Sequence, residues 1–141
     1  MGLNIHDEPR GGEDAIVAVA NLIKEGYDIS LTMLGEGNLA SDLRRLIVNL
    51  GVESRISFET APFDKMHLFY QQHDVVLVPS RFSEGTSLSA IEGLASGCYV
   101  IGSCVGGLQN LPLFPPFGDM VEPNYSSLQS AIRKFIDNRT K

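Results

Sequence analysis

The run Asp74-Val75-Val76-Leu77-Val78 leads directly into Pro79-Ser80-Arg81-Phe82-Ser83-Glu84-Gly85-Thr86-Ser87-Leu88-Ser89-Ala90-Ile91-Glu92. Its first part is apolar without interruption and of strand length. That pattern suits a parallel strand covered on both faces. Its last part predicts a helix over 87–96, stopped by Gly97. Open α/β sheets bind ligands at strand-to-helix connections of this kind. A helix N-terminus there offers free N–H groups to a phosphate. The stretch also carries two carboxylates, Glu84 and Glu92, with seven residues between them.

Strand and helix patterns alternate on either side of this stretch. Leu3 to Ile5 reads as the stub of a strand. Ile16, Val19, Leu22 and Ile23 predict a helix over 12–25, with Gly26 as its C′ residue. Ile29, Leu31 and Met33 alternate as in a strand over 27–34. Leu39, Leu43, Leu46, Ile47 and Leu50 mark a second helix, ended by Gly51. A short strand over 55–58 precedes a short helix over 64–71, with Asp64 as candidate N-cap and Met66, Phe69 and Tyr70 as its apolar side. Beyond Gly97 come a strand over 98–103, a glycine- and proline-rich loop, a short strand over 119–122 and a last helix over 126–138. In that last helix Leu128, Ile132 and Phe135 face inward. Strands alternating with helices predict an α/β fold with a mainly parallel sheet.

The bulk composition agrees. With 141 residues, 43% hydrophobic and 20% charged, the chain is long enough for one domain with its own core. A net charge of −6 argues against a general nucleic-acid or anionic-membrane surface. No apolar run reaches membrane-spanning length, so direct membrane insertion is not expected. Cys98 and Cys104 are separated by roughly 20 Å of extended chain, beyond disulfide reach. Reduced thiols fit a cytoplasmic protein. His6, His67 and His73 form no ligand motif, and no metal is expected.

Several residues are candidates for a site, each with a simpler alternative. With Leu88 as the reference direction of its helix, Ile91 and Ala95 fall on the same, inward side. Glu92 then sits about 40° away, at the edge of the buried face, where a carboxylate needs partners such as ribose hydroxyls. The alternative is a solvated glutamate or one paired to a lysine. Glu84 and Gly85 form a loop at the end of the buried strand, suited to sugar hydroxyls or merely to a turn. Thr86 and Ser87 could meet a phosphate or simply cap the helix. Gly35-Glu36-Gly37 after a strand is a phosphate-loop signal without the third glycine of the dinucleotide fingerprint; it serves equally as a turn. Gly106-Gly107 admits a ligand or a tight turn. Arg10 could reach a diphosphate or stand as a surface charge.

Taken together, the sequence resembles the C-terminal, donor-binding domain of retaining GT-B glycosyltransferases of family 4, over nearly the whole chain. The resemblance rests on Leu34-Gly35-Glu36-Gly37, Leu50 to Phe58, Asp74 to Ser80, Glu84-Gly85, Glu92-Gly93-Leu94-Ala95-Ser96-Gly97 and Val105-Gly106-Gly107, in this order and spacing. It implies a Rossmann-like three-layer α/β/α fold, one half of a GT-B enzyme, with residues 1–141 as a single nucleotide-sugar-binding domain. It implies that Glu84 contacts the donor sugar near the reacting centre and that Glu92 binds the ribose. Gly85, Thr86, Ser87 and Leu88 would meet the diphosphate through their backbone, and Gly35 and Gly37 would line the nucleotide cleft. The donor would be a UDP-, GDP- or ADP-sugar, used without a bound metal; the chain has no D-x-D motif.

The sequence departs from the family pattern in places. The family carries an arginine on the first strand and a Lys-Gly pair before the first helix, both supporting the leaving diphosphate. Here the strand is missing or cut short and Gly11-Gly12 stands where Lys-Gly is expected, with Arg10 one residue away as a substitute. Leu-Gln-Asn follows Gly106-Gly107 where proline and glutamate are common, and Thr60 replaces a frequent glycine. A GT-B enzyme also needs an N-terminal acceptor domain, which 141 residues do not hold. The expectation is a fragment, a separately encoded subunit or a remnant that transfers a glycosyl group only when joined to that half, through which any membrane association would come. The competing expectation is a non-catalytic sugar-nucleotide-binding partner or sensor subunit. A phosphoacceptor receiver domain would need an aspartate ending a central strand, and Val78-Pro79-Ser80 offers none.

Overall fold

The protein's structure, a computed structural model, describes residues 2–5, 12–34, 40–59, 63–79, 88–104, 111 and 113–139. In chain order the elements are β1 (Gly2–Ile5), α1 (Gly12–Lys24), β2 (Ser30–Leu34), α2 (Ala40–Asn49), β3 (Ile56–Glu59), a 3-10 turn (Phe63–Lys65) running into α3 (Met66–Gln71), β4 (Val75–Val78), α4 (Leu88–Ala95), β5 (Tyr99–Ser103), β6 (Gly118–Val121) and α5 (Tyr125–Arg139). The six strands form one sheet in the order β3-β2-β1-β4-β5-β6, and every neighbouring pair is parallel. This is the doubly wound order, with its reversal of direction between β1 and β4.

The expected strand stub is therefore a central strand. Leu3 pairs with Leu31 of β2 on one side and with Val75 of β4 on the other. Four residues suffice because both neighbours supply its hydrogen bonds. A second correction concerns Asp64, which lies inside the 3-10 turn. Lys65 holds the N-cap position of α3 and makes no capping bond from its side chain.

β4 explains the layering. All four of its side chains are withdrawn from water, and they alternate between two cores. Val75 and Leu77 join Ile16, Val19, Leu31, Leu43 and Ile132 under α1, α2 and α5. Val76 and Val78 join Tyr70, Ala90, Val100 and Leu113 on the face that carries α3 and α4. Helix ends follow the glycines: Gly26, Gly51 and Gly97, after α1, α2 and α4, have φ of 100°, 71° and 84°.

α5 returns over the first face and packs along α1. Asn124 caps it, its Oδ1 accepting from the Ser127 N–H at 2.8 Å. Arg133 Nη2 donates to both carboxylate oxygens of Glu25, at 3.0 and 2.8 Å, and Asn21 Nδ2 donates to Gln129 at 2.9 Å. The Tyr99 ring lies 4.6 Å from that of Phe135, tying β5 to the same helix. At the sheet's far edge the Asp119 carboxylate accepts from the Met120 N–H of its own strand at 2.9 Å. Among the described residues no helix is long and apolar enough to cross a membrane.

Cys98 and Cys104 flank β5 at its two ends, and both are free thiols. The Cys98 thiol donates to the carbonyls of Tyr70, at 3.1 Å, and His73, at 3.4 Å. Burial, aided by the nearby Asp74 charge, pushes its pKa up. A thiol held protonated and out of water reacts slowly. Labelling with a maleimide at neutral pH should therefore modify Cys104 first and leave Cys98 until the chain is unfolded.

β6 joins the sheet only because its first residue is glycine. A Cβ on Gly118 would lie 2.1 Å from the Val100 carbonyl oxygen, which is backbone and cannot step aside. Gly118→Ala should lower stability by about 2–3 kcal/mol, read as a drop in the thermal midpoint of roughly 5–10 °C.

Candidate functional site

Because every strand is parallel, each strand's chain leaves at the same end of the sheet. The connections from β1 to α1, β2 to α2 and β4 to α4 carry Arg10, then Gly35 and Gly37, then Glu84, Gly85, Thr86 and Ser87. These seven residues lie outside the described ones. The described frame around them is the carboxyl ends of β1 and β4, the first turns of α1 and α4, and the end of β5. Ligands of open α/β sheets sit in this crevice, where the strand order reverses.

That frame is tightly built. Gly12 opens α1, and a Cβ there would lie 3.0 Å from Met33 Cε and 3.3 Å from Leu43 Cδ1, so the helix starts close against β2 and α2. Asp14, in the first turn of α1, is 3% exposed; a negative charge there is favoured by the helix dipole. The Ser103 hydroxyl, also buried, donates to the Val78 carbonyl at 3.4 Å and links the carboxyl ends of β5 and β4. The sequence reading missed Asp14 and Ser103, since neither stands in a motif that sets it apart.

α4 begins at Leu88 and packs over β4 and β5. Its orientation corrects an expectation. Ile91 is 38% exposed and Ala95 is exposed, whereas Ala90 and Gly93 are buried. The helix thus sets the small residues Ala90 and Gly93 against the sheet, with Leu94 half-buried against the same core and Ile91 turned outward. A Cβ on Gly93 would lie 3.0 Å from Val76 Cγ2 and 3.1 Å from Val100 Cγ2. Glu92 precedes Gly93 and is turned about 100° from it, which again places it at the edge of the buried face, half-buried. The predicted location of Glu92 agrees with the structure although the predicted inward face was wrong. Of the predicted site residues, Glu92 is the one whose side chain falls among those described; Leu88 contributes the start of α4.

A cavity of about 700 Å³ opens elsewhere, at the amino ends of β4 and β5, against His73, Asp74, Cys98, Tyr99 and Phe117. Among the described residues no lysine or arginine lines it, and it lies at the opposite end of the sheet from the crevice. Among the described residues no three His, Cys, Asp or Glu side chains come together as metal ligands.

The fold and this frame have close counterparts. The model of the family Glycosyl transferases group 1 matches residues 4–138. A D-inositol 3-phosphate glycosyltransferase of Pseudarthrobacter chlorophenolicus is 31% identical over 124 residues, which are 82% of this chain and 29% of that protein. Sucrose-phosphate synthase from Thermosynechococcus elongatus superposes with a TM-score of 0.80 at 26% identity, over 96% of this chain and 36% of that one. The Anabaena protein HepE, solved in complex with UDP, superposes with a TM-score of 0.85 at 20% identity, over 98% of this chain and 39% of that one. The chain spans about a third of the length of each of these relatives. Its Rossmann-like parallel sheet is that of one half of a GT-B glycosyltransferase. The chain belongs to the family Glycosyl transferases group 1.

Proposed function

We propose that this chain is the donor-binding half of a retaining glycosyltransferase of family 4, and that it grips a nucleotide diphosphate sugar at the carboxyl ends of β1 and β4. The observation that carries the reading is Glu92, a carboxylate held half-buried beside the sheet on the helix that follows β4. A carboxylate so placed accepts two hydrogen bonds at once, and the vicinal hydroxyls of a ribose present such a pair. UDP is the favoured nucleotide, because HepE has been solved with UDP and with UDP-glucose. GDP and ADP sugars are the other donors to be compared.

In this reading each candidate has one task. Glu92 holds the ribose. The backbone of Gly85, Thr86, Ser87 and Leu88 meets the diphosphate near the start of α4, where free N–H groups and the helix dipole favour negative charge. Gly35 and Gly37 line the cleft, and Arg10 adds positive charge to the leaving group. Glu84 contacts the sugar near the reacting carbon. In the reaction the bond from the anomeric carbon to the diphosphate oxygen breaks, that oxygen keeps the electron pair, and the acceptor hydroxyl's oxygen bonds to the same face of the carbon while its proton passes to the leaving diphosphate oxygen. The acceptor would come from a further, N-terminal half, and the isolated chain would bind without transferring. Binding would need no metal. A second reading, a non-catalytic sugar-nucleotide-binding subunit, is favoured by Gly11 standing where the family carries a lysine; gain of transferase activity on joining an N-terminal half would reject it.

Saturation-transfer NMR and thermal shift with UDP-, GDP- and ADP-glucose should give binding strongest for UDP-glucose and unchanged by a chelator. Glu92→Ala removes the charged partner of the ribose, a loss of about 1.5–3 kcal/mol, so the dissociation constant should rise by roughly tenfold or more. Wild-type affinity in that variant would reject the ribose assignment.

A further inference from the structure

α4 lies so close to the sheet at position 93 that a Cβ there would crowd Val76 and Val100. Its inward residues are Ala90 and Gly93. A Cβ on Gly93 would lie 3.0 and 3.2 Å from Cγ2 and Cβ of Val76 and 3.1 Å from Cγ2 of Val100. Contacts that short are crowded, and one partner must give by a few tenths of an ångström. Both valines are β-branched, stiff at χ1 and fully buried in strands paired on both sides. The element free to give is the helix, whose outer side faces solvent at Ile91 and Ala95.

We infer that Gly93 is a positioning residue for the donor nucleotide, setting how deep α4 sits and so where the Glu92 carboxylate stands. The inference rests on the reading of Glu92 as the ribose ligand. Glu92 is joined to Gly93 by one peptide bond on the same rigid turn, so lifting the helix at Gly93 lifts Glu92 with it. Val76 and Val100 complete the seat from the sheet side. Gly93 touches no ligand itself; it acts through the carboxylate beside it. The glycine has a sequence signal, since it stands three residues after Ala90, a spacing that puts both on one face of the helix.

The test measures UDP and UDP-glucose affinity by calorimetry, together with thermal stability, on the full chain and four variants. Gly93→Ala should fold and bind UDP about three- to tenfold more weakly. Adding both Val76→Ala and Val100→Ala removes the two Cγ2 atoms that a Cβ at position 93 would crowd, and this triple variant should regain most of the affinity. Gly118→Ala, at the amino end of β6, loses stability and should keep the affinity, so weakened binding cannot be put down to instability. Should Gly93→Ala fail to fold, the triple variant decides alone: near wild-type affinity upholds the role, and weak binding overturns it. The role is also overturned if Gly93→Ala folds and binds as the wild type, or if the triple variant folds and stays weak. Glu92→Ala in the same series separates the two claims. If it binds as the wild type, or the unmodified chain binds no UDP, the ribose reading and the positioning role fall together. If it weakens binding while Gly93→Ala does not, only the positioning role falls.

Discussion

The structure depends on keeping Val75, Val76, Leu77 and Val78 away from water on both faces of one strand. Each such side chain contributes about 1.5–3 kcal/mol when fully buried, and successive side chains of a strand point in opposite directions. One cover cannot bury all four, so helices must lie on both faces. Parallel neighbours require crossover connections, and those crossovers are the helices that do the covering. The same geometry brings the start of each of these helices to one end of the sheet. Placement of the candidate site is thus a by-product of burying β4.

Much of this could be read from the chain. The uninterrupted apolar run of β4, the alternation of strand and helix patterns, and the glycines after α1, α2 and α4 each have a local physical cause, and the structure agrees with them. β1 read only as a stub because Gly2 to Ile5 offers two large apolar residues and no periodicity of its own; its strand character comes from neighbours far away in sequence. Asp64 looked like a cap because aspartate favours that role, but a 3-10 turn placed Lys65 there instead.

α4 shows where pattern reading goes astray. Hydrophobicity points Ile91 inward, yet what a helix close to a sheet requires is small size. Ala90 and Gly93 are the inward residues, and Ile91 is left facing out. Glu92 kept its place at the boundary because a residue at the edge of one face is also near the edge of the opposite one. The ordered motifs, rather than any single periodicity, made Glu92 legible as a candidate. Glu84, Gly85, Thr86, Ser87, Gly35, Gly37 and Arg10 were expected from the sequence and lie outside the described residues.

An open sheet has two edges, and among the described residues they are β3 and β6. Exposed edges are where sheets recruit one another into aggregates. Both edge strands are four residues long, and each carries a carboxylate, Glu59 or Asp119. Asp119 does more than add charge. By accepting from the Met120 N–H, it occupies a donor that an incoming strand would need. A second chain pairing at β6 would have to break that bond and dehydrate the carboxylate. The strand is therefore closed to further sheet growth by its own side chain, and no covering helix is required there.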